Sequence, residues 1–238
     1  MRSLIVCLLA MLPLIFATTT KGDTSAMQDC TGLWAAFAKP AYVGPELTPS
    51  DIPSPNGSVS VRASSLGLSL VSSGHSIDLQ GQLVNPGLTE VLWSPDSRDF
   101  VVNVSDGGLV GSWDTYFYSV DQNLRPVSHD IESPIKPIAN RFAKCNPAEQ
   151  VNIGSVSWLN EGKELLLVAQ VPPHSSCRNM GDIIGFRISV ESWKVIEQDI
   201  SEAKLRKRWG KVVGCMLVPG KALDHKLKRA RPLPKQDE

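Results

Sequence analysis

The stretch from Glu90 to Val104, EVLWSPDSRDFVVNV, decides the fold class of this chain. Two apolar runs, EVLW and DFVVNV, flank a Ser-Pro-Asp-Ser sequence at positions 94–97. Proline presets the backbone at the second position of a turn, and the Asp and Ser side chains can hydrogen-bond the turn's own backbone. The pattern therefore predicts two antiparallel strands joined by a short turn.

Two more strands follow downstream of this hairpin. An Asp-Gly-Gly turn at 106–108 precedes Trp113–Val120, WDTYFYSV, whose aromatic and β-branched residues favour a pleated surface. A turn at 121–123 then leads to a returning strand over 124–127. Together the four strands predict one antiparallel meander.

A second copy of the meander begins about 65 residues further on. The sequence SVSWLNEG at 155–162 places Trp158 where the first copy has Trp93, and the ELLLV run at 164–168 corresponds to the strand after the turn. Residues 182–188 and 192–196 correspond to the third and fourth strands. This self-similarity predicts a repeat architecture.

The remaining segments predict smaller elements around the two copies. Alternating apolar residues over 58–84 predict a further, atypical set of half-buried antiparallel strands. Thr31 is a candidate cap for a short helix containing Leu33 and Trp34, and the five prolines between positions 40 and 55 predict an irregular strap. We also expect short helices over 133–145 and 201–209, the second ended by Gly210, and a last strand over 211–218.

The two copies resemble the blades of WD40-like, TolB-type β-propellers. The likeness is carried by the WSPDS sequence at 93–97, the apolar run from Phe100 and the strand beginning at Asp114, and it covers residues 88–128 and 152–198. It implies blade-like antiparallel sheets and says little about function. Since a full propeller usually needs at least four blades, we expect an all-β partial propeller or sandwich of two or three sheets with short helical inserts. Self-association would cover exposed sheet edges.

The first 17 residues predict a cleavable signal peptide. Arg2 is followed by an apolar run from Leu4 to Phe16, which is too short to span a bilayer. The chain is therefore predicted to be secreted or periplasmic, with an N-terminal segment at 18–56, a β-rich domain at 57–218 and a polar tail at 219–238.

Four cysteines remain once the signal peptide is removed. They are Cys30, Cys145, Cys177 and Cys215. An even number in an exported chain predicts two disulfides and leaves three connectivities open. Buried free thiols are the alternative interpretation, and the wide spacing argues against zinc ligands.

Charge and motifs exclude several function classes. With 24 basic and 24 acidic residues the chain has no overall charge to attract nucleic acid or an anionic membrane, so any such role needs a local patch. Basic runs at 204–211 and 226–231 are the local candidates, although a solvated helix face and tail explain them equally well. No metal-ligand spacing and no nucleotide-binding loop occurs, so no metal or cofactor is predicted.

The candidate site lies in two loops at matching places in the two copies, residues 105–113 and 170–182. The candidate binding residues are Trp113, Asp114, His174 and Asp182. No catalytic residue is predicted, because a nucleophile needs a base within hydrogen-bond reach and an oriented third group. We expect a non-catalytic binding or scaffold protein for a protein, peptide or glycan. The alternative is an exported hydrolase that uses Asp114, His174 and Asp182.

Overall fold

A computed structural model describes residues 32–79, 85–107, 111–145 and 149–217. The predicted fold class is confirmed, because these ranges form antiparallel meander sheets with two short α-helices. The strands are β1 (Lys39–Pro40), β2 (Tyr42–Val43), β3 (Thr48–Pro49), β4 (Asp51–Pro53), β5 (Ser60–Ser64), β6 (Gly67–Ser72), β7 (His75–Asp78), β8 (Thr89–Trp93), β9 (Asp99–Ser105), β10 (Trp113–Val120), β11 (Pro126–His129), β12 (Asn152–Leu159), β13 (Glu164–Gln170), β14 (Ile183–Ser189) and β15 (Val195–Ser201). The helices are α1 (Lys136–Phe142) and α2 (Glu202–Trp209).

Three four-stranded meanders follow one another along the chain. The first meander is β4-β5-β6-β7, the second is β8-β9-β10-β11 with β1 added at the β8 edge, and the third is β12-β13-β14-β15. A small hairpin, β2-β3, precedes the first meander. Both copies predicted from the sequence are therefore complete meanders, and the atypical set upstream is a third.

The first meander begins earlier than the sequence predicted. The Pro-rich stretch that we expected to be an irregular strap contains β4 and the turn Ser54-Pro55-Asn56-Gly57. That turn repeats the second meander's Ser-Pro-Asp-Ser turn. The Oγ of Ser54 donates to Asn56 Oδ1 at 2.9 Å, as the Oγ of Ser94 donates to Asp96 Oδ1 at 2.6 Å. Pro53 is tolerated because β4 is an edge strand.

Contacts between the first strands and turns join each meander to the one before it. The indole Nε1 of Trp93 donates to the carbonyl of Ile52 at 3.1 Å, and Trp158 Nε1 donates to the carbonyl of Leu92 at 3.2 Å. These two bonds are equivalent, since each runs from the end of a first strand to the first strand of the preceding meander. The turns also meet, because the backbone N–H of Asn56 donates to Ser97 Oγ at 3.0 Å.

Replacing Trp158 by phenylalanine tests this coupling. The variant keeps an aromatic ring but loses the bond to Leu92, so we expect the free energy of unfolding to fall by about 1 kcal/mol. Trp93→Phe should lose a similar amount, because its bond is equivalent. Urea unfolding of both variants checks the prediction, and no loss in either would contradict a role for these bonds.

The stack has three apolar layers and different end surfaces. One layer lies between the first and second meanders, one between the second and third, and one on the far side of the third, where α2 inserts the buried Leu205. At the opposite end, Arg62 on β5 is exposed between the buried Val61 and Ala63. The outer surface of the first meander is therefore polar, as expected for a terminal repeat exposed to water.

The segments at 32–38 and 212–217 pair with each other. The N–H groups of Gly214 and Met216 donate to the carbonyls of Trp34 and Leu33, at 2.7 and 2.8 Å. Because this segment pairs its backbone with residues 214 and 216, it follows the segment at 212–217 and does not form the helix predicted after Thr31. The predicted last strand is also wrong, since its described residues, 211–217, form an isolated bridge from Val213 to Ala35 and a short 3₁₀ turn at Cys215–Leu217.

Glu90 anchors the segment at 32–38 to the second meander. Its buried carboxylate accepts the backbone N–H groups of Leu33, Trp34 and Ala35, at 2.5, 3.0 and 3.1 Å. The amide Nδ2 of Asn103 is a fourth donor, at 2.8 Å. Burial raises the pKa of Glu90 despite these bonds. Four donors converge on this one side chain, so it connects the start of the described chain with β8 and β9.

Both predicted helices and one predicted disulfide are present. Helix α1 covers Lys136–Phe142, shorter than the predicted 133–145, so Cys145 lies beyond its end, whereas α2 is followed by Gly210 as expected. Cys145 and Cys177 form a disulfide across 32 residues. Cys215 is also disulfide-bonded, and Cys30, the fourth cysteine of the prediction, lies outside the described residues.

Candidate functional site

The loop between β13 and β14, residues 171–182, is held to the end of α1 by covalent and polar contacts. We call it the anchored loop. Cys177 is bridged to Cys145, and the N–H of Arg178 donates to the carbonyl of Lys144 at 3.1 Å. The N–H of Lys144 donates back to Asn179 Oδ1 at 2.8 Å. The loop is thus attached to the chain after α1 by the disulfide and by hydrogen bonds of the neighbouring residues.

Glu149 adds a further attachment point. Its Oε1 accepts both the backbone N–H of Ser176, at 2.8 Å, and the hydroxyl of Ser176, at 2.5 Å. These hydrogen bonds, the side-chain one first, lower the pKa of Glu149, so the carboxylate stays charged over the physiological range. Because Ser176 is adjacent to Cys177, the disulfide and the hydrogen bonds to Glu149 act on the same part of the loop.

Hydrogen bonds within the anchored loop also fix its shape. The hydroxyl of Ser175 donates to the carbonyl of Pro172 at 2.6 Å, and the N–H of Gly181 donates to the carbonyl of Val171 at 2.9 Å. The N–H of Met180 reaches the carbonyl of Cys177 at 3.3 Å. A loop with its backbone groups paired in this way loses little conformational freedom when a partner binds.

The anchored loop exposes chemically varied side chains. Met180 is 56% exposed, and His174, Arg178 and Asp182 are exposed as well. An exposed thioether between a cation and a carboxylate offers apolar and charged contacts over a short distance. The sequence identified this loop through His174 and Asp182 and missed Met180 and Arg178, since exposure cannot be seen in a sequence without the backbone path.

A groove lies beside the anchored loop. It is lined by Asn140, Ala143, Cys145, Glu149 and Gln150. Two of these residues, Cys145 and Glu149, are the ones that hold the loop. The lining offers two amides and one carboxylate, groups that hydrogen-bond polar main-chain or hydroxyl groups of a ligand. The groove therefore adjoins two of the points at which the loop is attached.

The other two predicted binding residues lie elsewhere. Trp113 begins β10 with its ring 3% exposed and 5.8 Å from the ring of Trp34, so it is a core residue and is not presented to a ligand. Asp114 is half-buried on β10, and its charge acts on Tyr116 and Glu132, both of whose pKa values are raised chiefly by burial. Neither residue belongs to the anchored loop.

His174 and Asp182 do not assemble a catalytic unit. Within the described part of the chain, neither side chain has a hydrogen bond or an ion pair, and His174 is open to solvent. A general base needs a partner that orients its ring. Neither side chain is oriented by a hydrogen-bond partner in the part of the chain that the structure describes.

A second cluster lies between the second and third meanders and was missed by sequence reasoning. We call it the seam cluster: Asp99, Phe117, Ser119, His129 and Trp193. The His129 ring stacks on Trp193 at 4.5 Å, and the edge of Phe117 approaches Trp193 at 4.6 Å. The hydroxyl of Ser119 donates to Asp99 Oδ1 at 2.6 Å. These residues come from three strands and a distant turn, so no local pattern signals the cluster.

The seam cluster contains two perturbed titratable groups. Burial lowers the pKa of His129, opposed by the charge of Asp99, and burial raises the pKa of Asp99, opposed by the bond from Ser119. The Nε2 of His129 is buried without a hydrogen-bond partner among the described residues. Because Ser119 donates to Asp99 and not to the imidazole, the three residues do not form a nucleophile–base pair.

His129 makes stability depend on pH. Its folded-state pKa is below the ordinary value of about 6.5, so its contribution is complete above that pH and is lost as the pH falls below it. We expect the free energy of unfolding to decrease on acidification below about pH 6.5. In a His129→Phe variant this part of the decrease should disappear, as measured by urea unfolding across the pH series. An unchanged profile would contradict the assignment.

No metal centre or membrane-spanning helix is found in the described ranges. No three His, Cys, Asp or Glu side chains converge there as metal ligands, and neither α1 nor α2 has the length and apolar character to cross a bilayer.

No family model, no curated protein and no solved structure matches this chain. The fold and the candidate site alone define the class of this protein: a stack of three antiparallel meanders with a disulfide-anchored loop.

Proposed function

We propose that this chain is an exported, non-catalytic binding or scaffold protein built on propeller-like repeats, which contacts a protein or peptide partner through the anchored loop and its groove. One observation carries the proposal. The loop is fixed at Lys144, Cys145 and Glu149, and it still exposes more than half of Met180 together with Arg178 and His174.

This combination suits a contact surface. The attachments order the loop during folding, before any partner arrives, and they leave Met180, Arg178 and His174 exposed. When a partner covers the loop, that prior ordering becomes an advantage, because little further entropy is lost on binding. A disulfide of this kind also suits the oxidising compartment that the predicted signal peptide implies.

The sheet organisation supports the propeller-like part of the proposal. Each of the three meanders has the same strand order, and equivalent turns and tryptophans join successive units. Blade-like sheets typically serve as rigid platforms for loops at their ends. The hydrolase alternative has less support, because no described residue orients the ring of His174 through a hydrogen bond.

Site-specific photocrosslinking tests the proposal. A photoreactive amino acid is placed at position 174 or 180, and at position 127 or 196 as matched controls, because Val127 and Ile196 are exposed apolar positions 43% and 49% accessible on other surfaces. We expect one specific adduct from the loop positions, in cells that export the protein, and none from the controls. Adducts of equal yield from all four positions would contradict the proposal. Adducts that contain only glycan would contradict a protein or peptide as the partner.

Loop variants measure the contact once the partner is purified. Met180→Asp should weaken binding at least tenfold, since it places a charge in an apolar contact, and Ile196→Asp should leave affinity unchanged. Calorimetric titration gives both affinities. Equal affinities for the two variants would exclude the anchored loop as the contact.

A further inference from the structure

Three cationic side chains lie where the anchored loop is attached to the chain at and after the end of α1. Arg141 is in the last turn of α1, Lys144 follows the helix, and Arg178 is next to the disulfide-bonded Cys177. All three cations are exposed, and none forms an ion pair within the described ranges. We call them the cationic rim.

Hydrogen bonds between the two segments bring the cationic rim together. The backbone N–H of Arg178 donates to the carbonyl of Lys144 at 3.1 Å, and the N–H of Lys144 donates to Asn179 Oδ1 at 2.8 Å. The amide Nδ2 of Asn179 also donates to the carbonyl of Phe142 at 3.2 Å, directly beside Arg141. Cations that are more than 30 residues apart in the sequence therefore meet at one place.

Most other arginines are already used by the fold. Of the eight arginines in the described ranges, five form ion pairs: Arg62, Arg98, Arg187, Arg206 and Arg208. Two of the three that do not, Arg141 and Arg178, belong to the cationic rim. An unpaired guanidinium can bind a carboxylate through two parallel hydrogen bonds, so this place is suited to an acidic group from outside the chain.

Two carboxylates adjoin the cationic rim without neutralising it through an ion pair. Glu149 accepts the N–H and the hydroxyl of Ser176, and the N–H of Asp182 donates to the carbonyl of Asn179 at 3.1 Å. A uniformly anionic polymer would meet these carboxylates as like charges. A peptide can place its acidic side chains at the cations and other groups at the carboxylates, so the charge pattern favours a peptide.

We infer, on the basis of the proposed function, that the partner of the anchored loop is an acidic peptide segment that carries an apolar residue. Its carboxylates bind the cationic rim, and its apolar side chain packs on Met180, which is 56% exposed and lies two residues after Arg178. The thioether of methionine adapts to apolar groups of different shape. The amides of Asn140 and Gln150 in the adjoining groove can hydrogen-bond the peptide main chain.

Charge reversal on the cationic rim leaves the attachment of the loop in place. Lys144 and Arg178 hold the loop through backbone groups, so a change of the Arg178 side chain removes none of those bonds. The test variant is Arg141→Glu/Arg178→Glu. Its matched control, Lys163→Glu/Lys194→Glu, reverses two exposed cations at the ends of β13 and β14 that are opposite to the anchored loop.

Selection from a phage-displayed library of short random peptides tests this inference, with the exported full chain and its disulfides intact as the target. We expect the selected peptides to be enriched in Asp and Glu around an apolar residue, and to bind more weakly at high salt because the charges are screened. Fluorescence anisotropy with a labelled selected peptide gives the affinities. Arg141→Glu/Arg178→Glu should weaken binding about tenfold, because attraction becomes repulsion at two positions, and the control should bind like the unchanged chain.

The outcomes separate the class of partner from the use of the loop. Peptides that lose affinity with Met180→Asp, but have no excess of acidic residues and bind Arg141→Glu/Arg178→Glu normally, would overturn the acidic partner and leave the anchored loop as the contact. A library that yields no peptide dependent on Met180 or on the cationic rim would also overturn the acidic partner. Photocrosslinking from positions 174 and 180 in exporting cells then decides the proposed function by itself.

Discussion

Replacing Glu90 by alanine is expected to lower the free energy of unfolding by about 4 kcal/mol, among the largest effects in this molecule. The carboxylate accepts the N–H groups of Leu33, Trp34 and Ala35 and the amide of Asn103, all in a site closed to water. Alanine leaves these four donors without an acceptor, and each unpaired buried donor costs about 1–3 kcal/mol. Water entering the space recovers part of that loss.

Urea unfolding with intact disulfides provides the measurement. Glu191→Ala, at an exposed glutamate in the turn between β14 and β15, is the control and should change stability by less than about 0.5 kcal/mol. The stability of Glu90→Gln should lie between those of the two variants. Its amide oxygen remains as an acceptor, whereas its amide nitrogen is a donor and cannot accept from the N–H groups that it faces. A Glu90→Ala variant as stable as the control would show that the segment at 32–38 is not held by this side chain.

Gly154→Ala is the second substitution with a large expected effect. A Cβ added to Gly154 in β12 would lie 2.1 Å from Cδ2 of Trp34, whose side chain is fully buried. The ring has no room to move, since Trp113 packs against it and the segment around it is bonded to residues 213–217. We expect a loss of about 3 kcal/mol, at the upper end for an overpacked core.

A double-variant cycle identifies the cause of that loss. Trp34→Leu removes the atoms that the new methyl group would meet, so Gly154→Ala should cost less than about 1 kcal/mol in that background. The tryptophan Nε1 has no hydrogen-bond partner among the described residues, so replacing it breaks no such bond there. Additive losses would contradict a direct clash between residues 34 and 154.

The second and third meanders follow from local sequence rules. Alternation, β-branched residues and the turn at Ser94–Ser97 predict β8 to β10, and the ELLLV run predicts β13. The first meander was predicted only in part, because proline at 53 and 55 favours an irregular path. Pro53 lies on the edge strand β4, where the missing backbone N–H costs no bond within the sheet. Pro55 occupies the second position of a turn, where proline is favoured.

The chain ends depend on contacts that a single sequence does not reveal. The helix expected after Thr31 and the strand expected over 211–218 follow from sound local signals. Both fail because Leu33 and Trp34 give their carbonyls to residues 214 and 216, while Glu90 takes the N–H groups. Such pairing between segments about 180 residues apart has no local pattern.

The candidate site divides in the same way. His174 and Asp182 were identified because loops on a rigid sheet often carry function, and the loop is where they lie. Trp113 was misplaced because an aromatic residue at the start of a strand has the same sequence signature whether it points inward or outward. The seam cluster was missed because His129 and Trp193 are brought together only by stacking of the meanders.

Hydrogen exchange on the anchored loop tests most directly whether the proposed binding surface is preformed. The amides of Ser176, Arg178 and Gly181 donate to Glu149, Lys144 and Val171, so the free protein should exchange them much more slowly than the unstructured rate. Reducing the Cys145–Cys177 disulfide should speed their exchange while the strands stay protected. Exchange at the unstructured rate with the disulfide intact would show that the loop is not held, and the proposed mode of binding would then be wrong.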